Sequence, residues 1–468
     1  THHEITPARD MPPYSDMPTE TTRQQTWRQV GNGFLIIFVI GLAIYIGVQL
    51  DQSRLPPGYD ARAYLGATHV LGWGQNPLDH HTISGVMPEE DATPWPGVGF
   101  DVPRTPFYLY PPFLAITMHP LTLLPYGVAM KVWLITVVAA SLCLLPVLQR
   151  WTGWKVAAIG VIGCVQVWHA AWLGQVNAFL ALLLALAMYS YERRNDVSTG
   201  LLLALGLMLK ITPIIGILVL AARRTWFGVF TAGVVVVGII IWTLRPVPFE
   251  WWSDGFGAAL GERWHVAGFI SWTGMLDYLW GDAGITFSIV LSGLMLFITL
   301  MRAPRVPPAL SLAAASLLPL LVAHMAWDHH TVMALPALAV IYSTGRVGRG
   351  LAVVAWLTLT FGSGIIVALL ITLCWIACCW PVLLSLPHAQ PVAVVPDEQK
   401  ESLTVQRLAI KRLALKEPHL TNREISRQLG IDVRLVNETR PSTQRPSSRG
   451  DGPRPLKQPP GGQVGGEI

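Results

Sequence analysis

The sequence predicts an all-α, polytopic membrane protein of about twelve transmembrane helices with a small helical cytoplasmic tail. Three observations carry this. Hydrophobic residues make up 52% of the 468 positions and charged residues only 13%, and mean hydropathy is +0.45, a balance that excludes a soluble globular chain. Apolar runs near the ~20 residues that cross a bilayer recur through most of the chain. Basic residues fall in the short turns between alternate runs, the asymmetry that marks cytoplasmic turns. Nineteen tryptophans suit rings at the two membrane interfaces.

Taken in order, residues 1–30 are polar, lack the pattern of a cleavable signal, and read as a flexible cytoplasmic arm. The transmembrane region covers 31–390. Its apolar runs fall at 33–50, 128–148, 155–171, 177–191, 199–222, 225–244, 284–301, 307–323, 330–343, 349–367 and 368–387. Arg23 and Arg28 precede the first run and put the N-terminus inside. The following inside turns hold Arg150 and Lys155, Arg193 and Arg194, Arg223 and Arg224, Arg302 and Arg305, then Arg346 and Arg349. The alternation closes only if 199–222 is two short helices that enter and leave on one side, broken at Lys210-Ile211-Thr212-Pro213. Pro213 lacks an amide proton and disfavours helix at the residue before it. A break at membrane depth is tolerated where it lines a cavity. Both termini are then cytoplasmic. The five cysteines, Cys143, Cys164, Cys374, Cys378 and Cys379, all lie in apolar runs, so neither a disulfide framework nor a zinc site is implied. Cys374 and Cys378, one helical turn apart, read as packing residues.

This topology gathers polar side chains on the outer side. They comprise Asp60 and its aromatic, proline-rich loop (51–127), the turn Gly174-Gln175-Val176-Asn177, the Lys210 break, the 245–283 loop, and His324-Met325-Ala326-Trp327-Asp328-His329-His330. The inside turns hold little besides Arg, Lys and Gly. Such one-sidedness suits a catalytic or binding cavity, yet each element also has a structural reading. Asp60, in Gly58-Tyr59-Asp60-Ala61-Arg62-Ala63-Tyr64, could cap a helix or pair with Arg62. Gln175 and Asn177 could cap a helix turn. Lys210, near the end of a nearly uncharged helix, is costly unless it snorkels or meets an anion. His324, Asp328, His329 and His330 resemble a metal set, but three consecutive residues of one helix cannot face one ion. Only His324 and Asp328 share a face at i, i+4. Hydrogen bonding to an oxygen-rich ligand, with no metal, is the better reading. Tyr108-Leu109-Tyr110-Pro111-Pro112-Phe113 reads as an interfacial segment that guides a lipid or shapes a pocket.

In this order the residues resemble the GT-C superfamily of integral-membrane glycosyltransferases, and most closely glycosyltransferase family 87, the polyprenyl-phosphate-mannose-dependent mannosyltransferase group. The resemblance covers roughly 30–390. It rests on the segment Gly58 to Tyr64, Tyr110-Pro111-Pro112-Phe113, Gly174 to Asn177, Gly200 to Pro213, and Trp327-Asp328-His329-His330. It implies the GT-C fold, a polyprenyl-phosphate sugar donor, a lipid or glycan acceptor, no cofactor, and an active site on the outer face of a bacterial plasma membrane. It also implies a catalytic aspartate in the first outer loop, which carries over to Asp60, and inversion at the sugar carbon. Lys210, Arg62, His329 and His324 become donor-phosphate residues. Tyr64, Tyr110, Pro111, Gln175, Asn177, Asp328 and His330 become the substrate cavity. The 245–283 loop departs from the family pattern: Trp264 to Gly274 holds no clear Asn-Gln-Ser-type motif.

The chemistry fits the residues. A sugar on a polyprenyl phosphate already carries its leaving group, and the chain has no Walker-type glycine loop. An acceptor hydroxyl is a poor nucleophile and needs a general base, which a positioned carboxylate supplies. Cations such as Lys210, Arg62 or a histidine would stabilise the departing phosphate. A transporter or flippase of lipid-linked sugars is the rival, but it calls for paired broken segments in related halves, and only one break is legible. A scaffold whose tail is the working end would leave the one-sided polar cluster idle.

From 388 onward polar residues replace the apolar runs, and 441–468, rich in Pro, Gly, Ser and Arg, reads as disordered. Between them, 398–440 resembles a helix-turn-helix. Thr421 and Glu424 stand at capping-box spacing, Gly430 sits at the turn, and Val433, Leu435 and Val436 supply packing positions. Arg423, Arg427, Arg434 and Arg440 would suit nucleic-acid phosphates, or the tail could lie on anionic lipid.

Overall fold

The computed structural model describes residues 40–48, 57–77, 108, 110–251, 270–323, 326, 328–362 and 364–384, and in the tail 397–429 with 431, 436 and 439. Among them every element is a helix. After a helical stretch at 40–48 (α1) come α2 (Tyr59–Gly72), α3 (Pro112–Met118), α4 (Tyr126–Thr152), α5 (Trp154–Ile162), α6 (Val165–Leu173) and α7 (Asn177–Glu192). The next are α8 (Asp196–Leu209), α9 (Ile214–Ala222), α10 (Trp226–Thr243), α11 (Trp272–Trp280) and α12 (Asp282–Arg302). Then follow α13 (Pro308–Val322), α14 (Leu335–Tyr342), α15 (Arg346–Phe361) and α16 (Gly364–Cys379). The tail holds α17 (Asp397–Lys416) and α18 (Asn422–Leu429).

Among the described residues three helical stretches are long and apolar enough to cross a bilayer alone: α4, α10 and Asp282–Arg305. A fourth results if α5 and α6, bent by 50°, count as one span. Others, including α7, α8, α13 and α16, are apolar but shorter. The chain breaks its spans more often than the hydropathy runs suggest. At 210–213 the helix stops at Leu209 and restarts at Ile214, with Lys210 in an extended conformation. The run 155–171 is not one straight helix: Ile162 and Val165 are separated by Gly163 and Cys164, where the bend falls.

The i, i+4 relation read for His324 and Asp328 lies outside the described residues, which here comprise Ala323, Ala326 and the backbone from Asp328 onward. Helix α13 ends at Val322, Ala323 is extended (ψ 136°), and a 3-10 helix starts only at Asp328 and runs to Ala334. The Ala326 carbonyl instead accepts a hydrogen bond from the Ile270 amide at 2.9 Å. That bond ties the descending end of the 245–283 loop to this stretch. Nearby, Ser271 caps α11 by accepting from the Gly274 amide at 3.1 Å.

Two of the apolar cores in the first unit bear on the site. The larger collects Leu180, Leu184 and Met188 of α7, most of α13 and α14, and the Cys374–Cys378 turn of α16; the four cysteines other than Cys143 are buried. The smaller packs Tyr64 and Leu65 of α2 against Leu114 of α3, Trp133 of α4 and Val176, and it underlies the polar site. Helices α8 and α10 approach so closely that a Cβ at Gly200 would meet the Gly228 carbonyl, the close contact that small residues permit between membrane helices. The basic turns contact one another. Arg223 Nη1 donates to the carbonyls of Ala303 and Val306, Arg302 donates to the Cys379 carbonyl at 3.0 Å, and Arg150 and Arg193 lie against the Tyr189 ring.

The chain divides between Leu386 and Pro387, and the tail forms its own unit. Its core is Ile410 and Ala414 of α17, Ile425 of α18, and Val436.

Candidate active site

Two glycines bring α2 to the end of α6. Gly58 has φ +74° and precedes the helix; its amide donates to the Trp172 carbonyl at 2.6 Å. Gly174 has φ +73° and ends α6, and a Cβ there would lie 2.7 Å from that of Ala61. Both positions need left-handed backbone, which glycine adopts without steric cost. Asp60 is therefore the second residue of α2, not its cap, and it meets the 174–177 turn directly. The Trp133 indole donates to the Gly174 carbonyl at 2.7 Å and pins the turn from α4.

Gln175 is buried at the centre. Its Oε1 accepts from the phenols of Tyr64 at 3.2 Å and Tyr110 at 3.1 Å. Two donors on the oxygen leave the amide N–H groups for the Asp60 carboxylate, with which Gln175 hydrogen-bonds. Burial raises both phenols far above their ordinary range, so they stay protonated donors. The rings of Tyr64 and Tyr110 meet edge to face at 4.9 Å. Tyr108 holds the segment in place, donating to the Pro111 carbonyl at 2.9 Å and accepting from the Ala115 amide at 3.0 Å. Pro111 itself precedes α3 in an extended conformation.

Asn177 is wholly buried. Val176, not Asn177, stands at the cap position of α7, and it makes no side-chain cap bond. Asn177 Oδ1 accepts from Lys210 Nζ at 3.2 Å, and Lys210 Nζ lies 3.1 Å from His330 Nε2. A charged lysine only donates, so this contact assigns Nε2 of His330 as acceptor and its proton to Nδ1. The ammonium also sits 5.8 Å from the centre of the Tyr110 ring. The His329 and His330 rings are 4.5 Å apart, and His169 of α6 meets His329 edge to face at 5.7 Å.

Asp60 collects these influences. Burial pushes its carboxyl above the usual carboxylate range; His329, the Gln175 hydrogen bond, Lys210 and His169 oppose that rise in decreasing order. It still keeps some accessible surface. The structure thus brings together Asp60, Tyr64, Tyr110, Gln175, Asn177, Lys210, His329 and His330. Arg62 is buried on α2, two residues and so about 200° of helix rotation from Asp60. His324 and the side chain of Asp328 lie outside the described residues, as does the Trp264–Phe269 part of the 245–283 loop. Sequence reading missed His169. Its one signal was an ionisable residue in an otherwise apolar run; only packing against His329 makes it part of the group. Beyond Lys210 a narrow apolar crevice follows the break, lined by Thr212, Pro213, Gly216, Leu312, Ser316 and Pro319 among others.

The arrangement offers a buried carboxylate with some access, facing an ammonium and two imidazoles, beside an apolar crevice. Comparison with known proteins gives that chemistry a context. The profile of glycosyltransferase family 87 matches residues 108–326. A polyprenol-phosphate-mannose-dependent alpha-(1-2)-phosphatidylinositol pentamannoside mannosyltransferase of Mycolicibacterium smegmatis is 26% identical, over 63% of this chain and 76% of the relative. The protein of the same description from Mycobacterium tuberculosis is also 26% identical, over 68% of this chain and 75% of its own length. A third relative, the M. tuberculosis alpha-(1-2)-phosphatidylinositol mannoside mannosyltransferase, is 26% identical over 54% and 65% of the two chains. No solved structure matches the chain. Profile and relatives agree on one class of enzyme, and together they support a polyprenyl-phosphate-mannose-dependent glycosyltransferase of the family 87 kind.

Proposed function

We propose that this glycosyltransferase moves mannose from a polyprenyl-phosphate donor to a glycolipid or polysaccharide acceptor, with inversion and with Asp60 as general base. The relatives act on phosphatidylinositol mannosides, which favours a glycolipid acceptor. The observation that carries the reading is the setting of Asp60: a carboxylate oriented by Gln175 and opposed by Lys210 and His329. In the proposed step Asp60 takes the proton of the acceptor hydroxyl as its oxygen bonds to the anomeric carbon. The carbon–oxygen bond to phosphate breaks on the opposite face, and the electron pair leaves with the polyprenyl phosphate. One base suffices because no covalent sugar–enzyme intermediate forms.

Lys210 is the cation to meet the leaving phosphate. It is held by Asn177 and His330 without being neutralised, and preorganised cations aimed at developing charge are the largest catalytic contribution of such sites. His329, Arg62 and His324 join it as donor residues, and Tyr64, Tyr110, Pro111, Gln175, Asn177, Asp328 and His330 form the cavity. In the bilayer we place this cluster at the outer face of a bacterial plasma membrane, within about twelve spans and with both termini cytoplasmic. Residues 31–390 form the GT-C domain, with 51–127 its catalytic loop, and 398–440 the tail module; 1–30 and 441–468 lie outside the described residues.

Asp60→Asn keeps the shape and hydrogen bonding of the side chain but removes its basicity. Purified, it should retain fold and donor binding yet lose transfer from radiolabelled polyprenyl-phosphate mannose, followed by thin-layer chromatography. Wild-type turnover in that variant would sink the assignment.

A further inference from the structure

The glycosyltransferase reading leaves the tail unused, and helix α17 has two apolar faces where its own unit needs one. On the first, Ile410, Leu413 and Ala414 pack with Ile425 of α18 in the tail's core. On the second, Leu408 and Leu415 are 53% and 67% exposed, and Lys411, Arg412 and Lys416 are exposed beside them. At about 100° of rotation per residue these five span an arc of about 140°, in the order Lys411, Leu415, Leu408, Arg412, Lys416. The leucines therefore hold the middle of the exposed face and the cations its two edges.

Nothing nearby neutralises those edges. From Leu408 to Lys416 the chain holds no Asp or Glu. Among the described residues from Leu408 onward the one exposed carboxylate is Glu424. It accepts from the Thr421 amide at 2.6 Å while its own amide donates to Thr421 Oγ1 at 3.3 Å, a capping box that commits it to the start of α18. A second copy of the chain is a poor cover for the face, because two such surfaces bring cations against cations. A polyanion without an apolar phase would leave Leu408 and Leu415 in water. An anionic bilayer satisfies both parts: leucines enter the acyl boundary, and Lys and Arg stems run outward to the phosphates. In sequence Leu384 and Asp397 are close, so a bilayer spanned by the first unit is also the partner at highest local concentration.

We propose that the exposed face of α17 docks on an anionic lipid surface, with Leu408 and Leu415 inserted and Lys411, Arg412 and Lys416 on lipid phosphates. Arg423 and Arg427 of α18, also exposed, flank no exposed large apolar side chain of their own helix and add only long-range attraction. The proposal goes beyond the transferase reading and does not rest on it. The cytoplasmic placement of the tail decides which leaflet is met in the cell, not whether binding occurs.

Flotation tests it, with the full chain held in phosphatidylcholine nanodiscs and mixed with phosphatidylglycerol or phosphatidylcholine vesicles. The protein should float with the anionic vesicles only, and less as salt rises. Lys411→Gln/Arg412→Gln should weaken partitioning about five-fold per cation removed. Leu408→Ser/Leu415→Ser, with every charge kept, should weaken it about ten-fold. Arg423→Gln/Arg427→Gln should cost less than the equal charge change at 411 and 412. Lys411→Arg/Lys416→Arg, which keeps the charge, should float like wild type, so that a loss elsewhere is not mistaken for general fragility of the tail. The readout does not involve mannosyl transfer, so it fails or succeeds apart from the transferase assignment. Equal flotation with phosphatidylcholine, none with phosphatidylglycerol, an unchanged leucine variant, equal losses from the α17 and α18 charge pairs, or equally tight binding of soluble polyglutamate would each overturn the proposal.

Discussion

At Gln175 two phenols compete for one oxygen, and that competition decides which way the amide points. Tyr64 and Tyr110 donate to Oε1 and the N–H groups are left for Asp60. Because Asp60 is raised by burial and lowered by Gln175, it is an acid whose folded-state proton affinity exceeds the ordinary carboxylate value. A general base works only when ionised. Transfer should therefore fail as pH drops through a value above the usual carboxylate range. Gln175→Leu removes a hydrogen bond to the charged form, so the acidic limb of kcat against pH should move further up; a limb that stays or moves down would separate Gln175 from Asp60. Asp60 and Gln175 were legible as candidates from their loop and turn positions. His169 was not, because between Trp168 and Ala170 it reads as one residue of an apolar helix, and only tertiary packing gives it neighbours.

Among elements, the Lys210 break was legible and the bend at 163–164 was not. Pro213 and a lone charge mark the first, whereas Gly163-Cys164 lies in an unbroken apolar run whose neighbours show no stop signal. The end of α13 near 323 was legible in the sequence, whereas the bond from the Ile270 amide to the Ala326 carbonyl was not, because a local pattern carries no sign of a distant donor. The α8–α10 contact makes a further prediction. At Gly200 a larger side chain must displace the Gly228 backbone, so Gly200→Val should destabilise by about 1–3 kcal/mol. Gly233→Ala in α10, with open space around it, should stay within about 1 kcal/mol of wild type. Thermal unfolding in one detergent compares them; equal losses would mean the close approach is unimportant.

For the whole molecule, the charge pattern and the contacts agree on two chemically different ends. Basic turns touch one another through Arg223 and Arg302, and the carboxylate, amides, lysine and imidazoles touch one another elsewhere. In a Cys143→Ala background, Gln75→Cys, on an exposed residue just past α2, should react with an impermeant maleimide from outside intact cells. Lys155→Cys, in an inside turn, should react only after lysis. The opposite labelling would invert the proposed topology. The helical architecture of the described residues was readable from the recurring bilayer-length apolar runs. How many helices cross fully was not, since span length depends on breaks that packing, more than hydropathy, decides.

Two contacts run from backbone to backbone: Gly58 to Trp172 and Ile270 to Ala326. Such bonds ignore side-chain identity. At Trp172, Ile270 and Ala326, evolutionary drift can rewrite the residue without moving the chain, and of the coded residues only proline at 270 would delete its donor. Segments fastened this way can change sequence while the chain keeps its path.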